Sequence, residues 1–327
     1  MCYSSMAEES LRKVARHGET EKIRLDAFNE LLRLDHEQLN DKPRDIPLRW
    51  PKAMEANFYN PRTPEEHETA ALFETLRAAK RSKLEAGLFR QRARLVAAER
   101  TLATKEARKA LEERRIATNK VEWHRLQLSN LDRKDLRPSD SRIYPFWYTL
   151  VIAVVDGERV VMPMRYHCRQ NGKPASIDKK YDGLYNARRD NLDGYWKNVW
   201  TRRHAVMVAW AFYENVTLEA FEHRALAPGE KSQNLVLEFK PQAAEPMLLA
   251  CLWDKWEAPG EQPLYSFAAI TDEPPPEIAA TGHDRCPIPL KPEHLDDWLS
   301  PEGRSKEELQ AILDDRERPR YEHRKAA

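Results

Sequence analysis

The sequence predicts an α+β protein: an antiparallel, barrel-like sheet with peripheral helices, plus a long helical insertion near the N-terminus. Two textures predict it. Residues 7 to about 130 are rich in Glu, Arg, Lys, Ala and Leu with almost no β-branched runs, whereas from about residue 138 aromatic and β-branched segments alternate with turn signals. The second half also lacks the regular strand–helix–strand alternation of a parallel sheet, so its strands are expected to pair antiparallel.

In the helical part, Leu11, Val14, Ile23, Phe28, Leu31, Leu32 and Leu39 recur at roughly helical intervals between residues 8 and 40. From 64 to 128, Leu72, Leu76, Leu84, Leu88, Leu95 and Leu102 do the same among dense alternating charges, which predicts a long helix or a helical hairpin. A proline-bearing segment, 41–62, separates the two stretches. The heptad does not persist, so the insertion reads as a solvated element with one apolar stripe packed on the body; docking of a partner protein is its competing use.

In the second half, 148–155 and 159–164 flank Asp156-Gly157, the two-residue signature of a tight hairpin. Residues 205–212, 235–239, 247–253 and 264–271 read as further buried strands, with short helices at 194–202 and 292–299. Ser305, with Glu308 three residues on, forms a capping box that opens a last helix through Asp315. The charged tail, 316–327, is expected to fray. The expected division is therefore 1–6, belonging with the catalytic domain; 7–137, the insertion; 138–315, the catalytic domain; and 316–327, the tail.

Bulk properties exclude several function classes. With 54 Lys plus Arg against 53 Asp plus Glu, any nucleic-acid surface must be local. Four cysteines, at 2, 168, 251 and 286, form neither a disulfide framework nor a C-x-x-C pair, which fits a reducing cytosol. Neither a membrane-length apolar run nor a signal peptide is evident, so a soluble cytoplasmic monomer is expected, nucleoid-associated when on DNA. Phosphate-cradling glycine loops, the dinucleotide fingerprint and HExxH are all missing, and no cofactor or metal is expected.

What remains is a set of polar residues beside strand ends: Asn186 in YNARRDN, Glu214 in WAFYENV, and His283 with Arg285 in GHDRCPIPL. Each alone has a structural explanation as a turn cap, a solvated carboxylate or a hydrogen-bonded core histidine. Cys168 and Cys286 read as small buried hydrophobes, and Cys251, within MLLACLW, as a core residue.

Taken in order, these pieces resemble the SOS-response-associated peptidase family of abasic-site processing proteins. The matching residues are Met1-Cys2, Pro163-Met164-Arg165-Tyr166, Asn186-Ala187-Arg188, Phe212-Tyr213-Glu214, Ala250-Cys251-Leu252-Trp253, Phe267 through Thr271, and His283-Asp284-Arg285-x-Pro287 followed by Leu290-x-Pro292. Where the family has Gly-Arg after the cysteine this chain has Tyr3-Ser4. Asn215 replaces a frequent tryptophan, and Tyr166-His167 replaces Trp-Gly.

The resemblance implies a chemistry that the residue types support. Once Met1 is removed, Cys2 offers an α-amine and a thiol on adjacent carbons. The amine condenses with the aldehyde of an open abasic deoxyribose, and the thiol closes a thiazolidine ring. An α-amine of pKa about 7.7–8.0 is partly neutral at cellular pH. By resemblance, Asn186 orients the reacting groups, Glu214 moves protons as general acid and base, and His283 stabilises or protonates the sugar oxygen. Arg165, Arg188 and Arg285 are implied phosphate contacts, and Thr271 touches the same backbone of single-stranded DNA. Trp210, Tyr213, Trp253 and Trp256 are candidates for base stacking, with core packing the competing role. Removal of Met1, by the domain itself or by an aminopeptidase, is the peptidase step. Two other readings stay open: an N-terminal cysteine amidohydrolase with Glu214 or His283 as base, and a scaffold protein with a decayed site acting through its insertion.

Overall fold

The computed structural model describes residues 3–40 and 48–326. Its strands are β1 (Ser4–Ala7), β2 (Arg142–Ile143), β3 (Tyr148–Val155), β4 (Glu158–Tyr166), β5 (Asn186–Arg188), β6 (His204–Thr217), β7 (Asn234–Pro241), β8 (Met247–Trp256), β9 (Leu264–Asp272), β10 (Cys286–Pro287), β11 (Pro289–Leu290) and β12 (Tyr321–Lys325). Its helices are α1 (Leu11–His17), α2 (Leu25–Asn40), α3 (Lys52–Glu55), α4 (Pro64–Thr104), α5 (Arg108–Asp132), α6 (Ile177–Lys180), α7 (Leu218–Phe221), α8 (Pro276–Ala279), α9 (Leu295–Leu299) and α10 (Lys306–Asp314).

The chain divides into two units, one made of Met1–Phe28, Leu48–Asn57 and Arg137–Ala327, the other of Asn29–Pro47 and Phe58–Leu136. This differs from the expected division. Residues 8–28 and 48–57 belong with the sheet, because their apolar side chains are part of its packing: α1 lies on β3 and β4, and Gly18 closes on the Ile152 side chain. The expected helix over 8–40 is also interrupted. Glu19 takes a positive φ of 47°, and Ile23 leaves the helical path to bridge Val161 of β4.

The first unit is the sheet. Asp156 and Gly157 both adopt positive φ, 53° and 79°, as a two-residue type I′ turn requires, and β3 and β4 pair in register from Val155↔Glu158 to Tyr148↔Arg165. Pairings β8–β9, β9–β4, β4–β3, β3–β6 and β6–β8 close a circuit of five strands, which gives the barrel-like core. The pairing is antiparallel except where β4 and β5 run parallel to β9. Alternate residues fill the interior: Val151 and Ala153, Met162 and Met164, Ala205, Met207 and Ala209, Leu249 and Cys251, Phe267 and Ala269. The other face of these strands is buried too, which is why they read as continuous apolar runs.

Two sequence expectations need correction here. Residues 194–202 form successive turns instead of a helix. Their backbone hydrogen bonds switch between three- and four-residue spacing, as in Val199 to Trp196 and Arg203 to Val199, so no continuous ladder develops. The tail does not fray over its whole length: β12 pairs with β7 from Tyr321↔Pro241 to Lys325↔Leu237. Tyr321 anchors it, buried edge-on to Phe212 at 5.4 Å between ring centres. The capping box at Ser305 and Glu308 is present and starts α10.

The second unit is helical. The Thr63 hydroxyl accepts the Glu66 N–H at 3.2 Å and Pro64 occupies the first turn, so α4 begins with a side-chain cap and the preset φ of proline. Helices α4 and α5 form a hairpin in which Gly87 is buried so close to His124 that a β-carbon would collide with it. Small residues, Ala98, Ala110 and Ala117, are buried with Val121. Arg94 pairs with Glu113 across the hairpin, and Phe58 stacks on Phe73 at 5.3 Å. Among the described residues no helix is long and apolar enough to cross a membrane.

Candidate active site

Strand β1 joins the sheet between β6 and β2. It runs antiparallel to β6, with Ser4 opposite Tyr213 and Ser5 opposite Phe212, and the Tyr3 N–H donates to the Tyr213 carbonyl at 3.2 Å. Read toward its N-terminal end, the strand therefore climbs toward Glu214, the next residue of β6. Cys2 lies outside the described residues.

Glu214 is fully buried because β6 is paired on both edges, with β7 opposite it at Leu237 and β1 on the other side. His283 Nε2 lies 2.9 Å from Glu214 Oε2. The imidazole is oriented by its other nitrogen, which faces the Arg285 carbonyl at 2.9 Å and the Arg285 N–H at 3.2 Å. Gly282, at φ 86°, makes the bend before it, against the backbone of Ala220, and no β-carbon would fit there. Burial holds the Glu214 carboxyl above its ordinary range, and the neighbouring His283 opposes that rise. A carboxyl raised in this way holds its proton to higher pH than a solvated one, the direction in which general acids are tuned.

Asn186 is buried at the start of β5, beside Ala269 of β9, and neither its Oδ1 nor its Nδ2 makes a hydrogen bond among the described residues. Buried amides are ordinarily satisfied, so this one is left ready for an external partner. Thr271 sits two residues further along β9, between Arg188 of β5 and Pro287 of β10; it is buried, and its hydroxyl is likewise without a hydrogen bond among the described residues.

The arginines separate into two groups. Arg188 and Arg285 converge on Asp190, Arg188 Nη2 at 2.7 Å and Arg285 Nη2 at 3.3 Å from the same carboxylate oxygen. Arg188 is exposed and Asp284 also lies 4.0 Å from Arg285 Nε, so two guanidiniums and two carboxylates form a cluster open to water. Arg165 is different. It is buried and bonds Asp178 through both terminal nitrogens, at 2.8 and 3.2 Å, while Arg169 pairs with the same carboxylate. The expectation that it touches DNA phosphate is corrected: Arg165 is part of an internal ion cluster.

The aromatic candidates divide similarly. Tyr213, Trp253 and Trp256 are buried and Trp210 donates its indole N–H to Glu8 at 3.0 Å, so packing and internal hydrogen bonds account for them. Cys168, Cys251 and Cys286 are buried; burial pushes the Cys168 thiol up and away from reactivity. A pocket of about 560 Å³ lies outside the residues expected from the sequence. It is lined by Tyr3, Tyr144, Phe146, Trp147 and Tyr185, with Arg49 among them, and Tyr185 directly precedes Asn186. Tyr3 and Tyr144 meet edge-on at 5.9 Å, and Tyr144 and Trp147 lie 5.3 Å apart. The signal for it in the sequence is the aromatic run Tyr144 to Tyr148.

Residues 94–326, more than two thirds of the chain, match the family described as SOS response associated peptidase (SRAP). The chain belongs to the SRAP family. The matched region takes in Asn186, Glu214 and His283 and begins after residue 93. Among curated relatives of this SRAP protein, the abasic site processing protein YoqW of Bacillus subtilis (strain 168) is 31% identical over 93 residues, which are 28% of this chain and 40% of YoqW. The abasic site processing protein YoaM of the same organism is 31% identical over 84 residues, 26% of this chain and 37% of YoaM. The similarity thus spans less than half the length of either relative. Crystal structures similar to this SRAP chain include a protein from Bacteroides thetaiotaomicron, with a TM-score of 0.44, 14% identity, and coverage of 57% of this chain and 77% of that one. A protein from Bordetella bronchiseptica gives 0.44, 19%, 57% and 87%.

Proposed function

We propose that this SRAP protein joins itself covalently to abasic sites in single-stranded DNA through Cys2, after Met1 has been removed, and so shields the lesion. The observation that carries the reading is the buried Glu214–His283 pair at the end of β6 toward which β1 leads. Chain connectivity keeps residue 2 within one peptide, about 3.8 Å between α-carbons, of Tyr3. In this reading an N-terminal cysteine next to Tyr3 uses that pair for proton transfer.

In this reading the Cys2 amine attacks the aldehyde carbon of the open sugar. Glu214 protonates the hemiaminal hydroxyl, which leaves as water, and takes back the nitrogen proton to give an imine; the Cys2 thiol then adds to the imine carbon, its proton passing to nitrogen, to close the thiazolidine. His283 holds the Glu214 carboxyl in place. Asn186, whose amide makes no hydrogen bond among the described residues, binds the sugar hydroxyl and fixes the aldehyde for attack. Arg188 and Arg285 take the flanking phosphates, and the Tyr3–Tyr144–Trp147 pocket with Arg49 takes a neighbouring base by stacking.

The test is direct. Purified protein lacking Met1, mixed with a single-stranded oligonucleotide bearing one abasic site, should give a shifted band that survives denaturing electrophoresis. Absence of the band with wild type, or its persistence in Cys2→Ala, would defeat the reading.

A further inference from the structure

The near-neutral charge of the whole chain conceals a strong local excess. Between Phe89 and Arg125, spanning the distal part of α4, the turn and most of α5, there are 11 Lys and Arg against 5 Glu, a net of +6 in a chain whose total is +1. The excess is not internally neutralised. Arg90, Arg92, Arg100, Arg108, Arg114 and Arg125 are exposed and take part in no recorded ion pair among the described residues, whereas Glu112 and Glu113 are already engaged by Arg115 and Arg94. Like-charged side chains crowded on a slender hairpin repel one another, which costs stability unless an anionic partner offsets it.

Large apolar side chains lie among these cations. Phe89 is 75% exposed and Trp123 52%, although a hairpin with a well-filled interface gives neither a reason to remain in water. Apolar character is spread around α4 with no single apolar outer face, so the element lacks the one-sided character with which a helix lies on a lipid surface. A flexible polyanion carrying unstacked planar faces satisfies both features: phosphates for the arginines, bases for the two aromatic rings.

We infer that the α4–α5 hairpin is a second, sequence-independent binding surface for single-stranded nucleic acid. It needs neither a lesion nor Cys2, and it stands whether or not the cross-linking reading holds. The geometry of the hairpin supports it by keeping the cations on a rigid scaffold, since Gly87 packed against His124 locks the two helices together.

The experiment uses the full chain carrying Cys2→Ala, so that no covalent reaction contributes, and an undamaged fluorescent single-stranded 20-mer read by anisotropy. Replacing Arg90, Arg92 and Arg100 together by Ser should weaken binding about tenfold or more near 0.1 M salt. It should also flatten the plot of log affinity against log salt by roughly 2, about 0.7 for each lost phosphate contact. Phe89→Ala with Trp123→Ala should weaken binding about tenfold with the salt slope unchanged. Circular dichroism of each variant checks that the helices persist. Unchanged affinity and slope in the arginine variant, equal or tighter binding to a duplex of the same length, or binding to anionic phosphatidylserine vesicles in preference to the oligonucleotide, would each overturn the assignment.

Discussion

His283 Nε2 stands 2.9 Å from Glu214 Oε2 although the two residues are 69 positions apart, and both side chains are buried. Burial raises the Glu214 carboxyl above its ordinary range and the imidazole beside it opposes that rise, an environment of the kind that general acid–base groups have.

Glu214→Gln keeps the shape of the side chain and removes its titration. Cross-linking to an abasic oligonucleotide should slow by roughly 100-fold or more, the range expected for a lost general acid–base group. The thermal midpoint should be unchanged or slightly higher, because burial disfavours the charged carboxylate. A rate within twofold of wild type, followed by quenched time points on denaturing gels, would remove Glu214 from the proposed mechanism.

Glu9 is buried beneath Thr149, whose hydroxyl donates to Oε1 at 2.6 Å, and burial raises its carboxyl well above the ordinary 4.5. Below pH 4.5 folded and unfolded chains both hold this proton. As pH rises from there toward the folded value, the unfolded chain alone releases it and stability is lost, by about 1.4 kcal/mol for each unit of upward displacement. Glu9→Gln lacks this loss, so its stability relative to wild type should grow between pH 5 and 8 in urea titrations. A pH-independent difference would contradict the argument.

Arg165 and Arg188 should fail in opposite ways. Arg165→Ala removes one partner of a buried ion cluster around Asp178 and should cost about 3–5 kcal/mol of folding stability. Arg188→Ala, at an exposed pair, should change stability by less than about 1 kcal/mol yet weaken single-stranded DNA binding in low salt. Denaturation and anisotropy on the same two variants separate the roles.

Tyr321→Ala empties a buried position between Phe212 and Met247 and releases β12 from the edge of β7. The expected cost is about 3 kcal/mol, with greater protease sensitivity after residue 316. A midpoint shifted by less than 1 °C would mean that the terminal strand contributes nothing to the sheet.

Much of this was legible in the chain. Apolar runs located β3, β4, β6, β7, β8 and β9 to within a few residues, because strands buried on both faces carry their signal locally, and Asp156-Gly157 announced its own turn. Side chains whose role depends on distant partners were not legible. Arg165 sits in a sequence motif that reads as DNA contact, yet Asp178 and Arg169 decide its environment. Tyr321 carries no periodic pattern in a charged tail, and only the open edge of β7 gives it a place. Tyr3, Tyr144 and Trp147 are distributed over two ends of a long insertion, so their shared pocket appears only when β1 pairs with β2 and β6.

The pairing of Ser4 with Tyr213 joins residues 209 positions apart. During synthesis at roughly 5–20 residues per second, Ser4 is made some tens of seconds before β6 exists to receive it. For that interval β1 lacks its longer partner, and only the two-residue β2, at Arg142–Ile143, can pair with it sooner. A slow β6, whether through rare codons or a destabilised core, lengthens the interval in which the edge of β1 that it covers stays open.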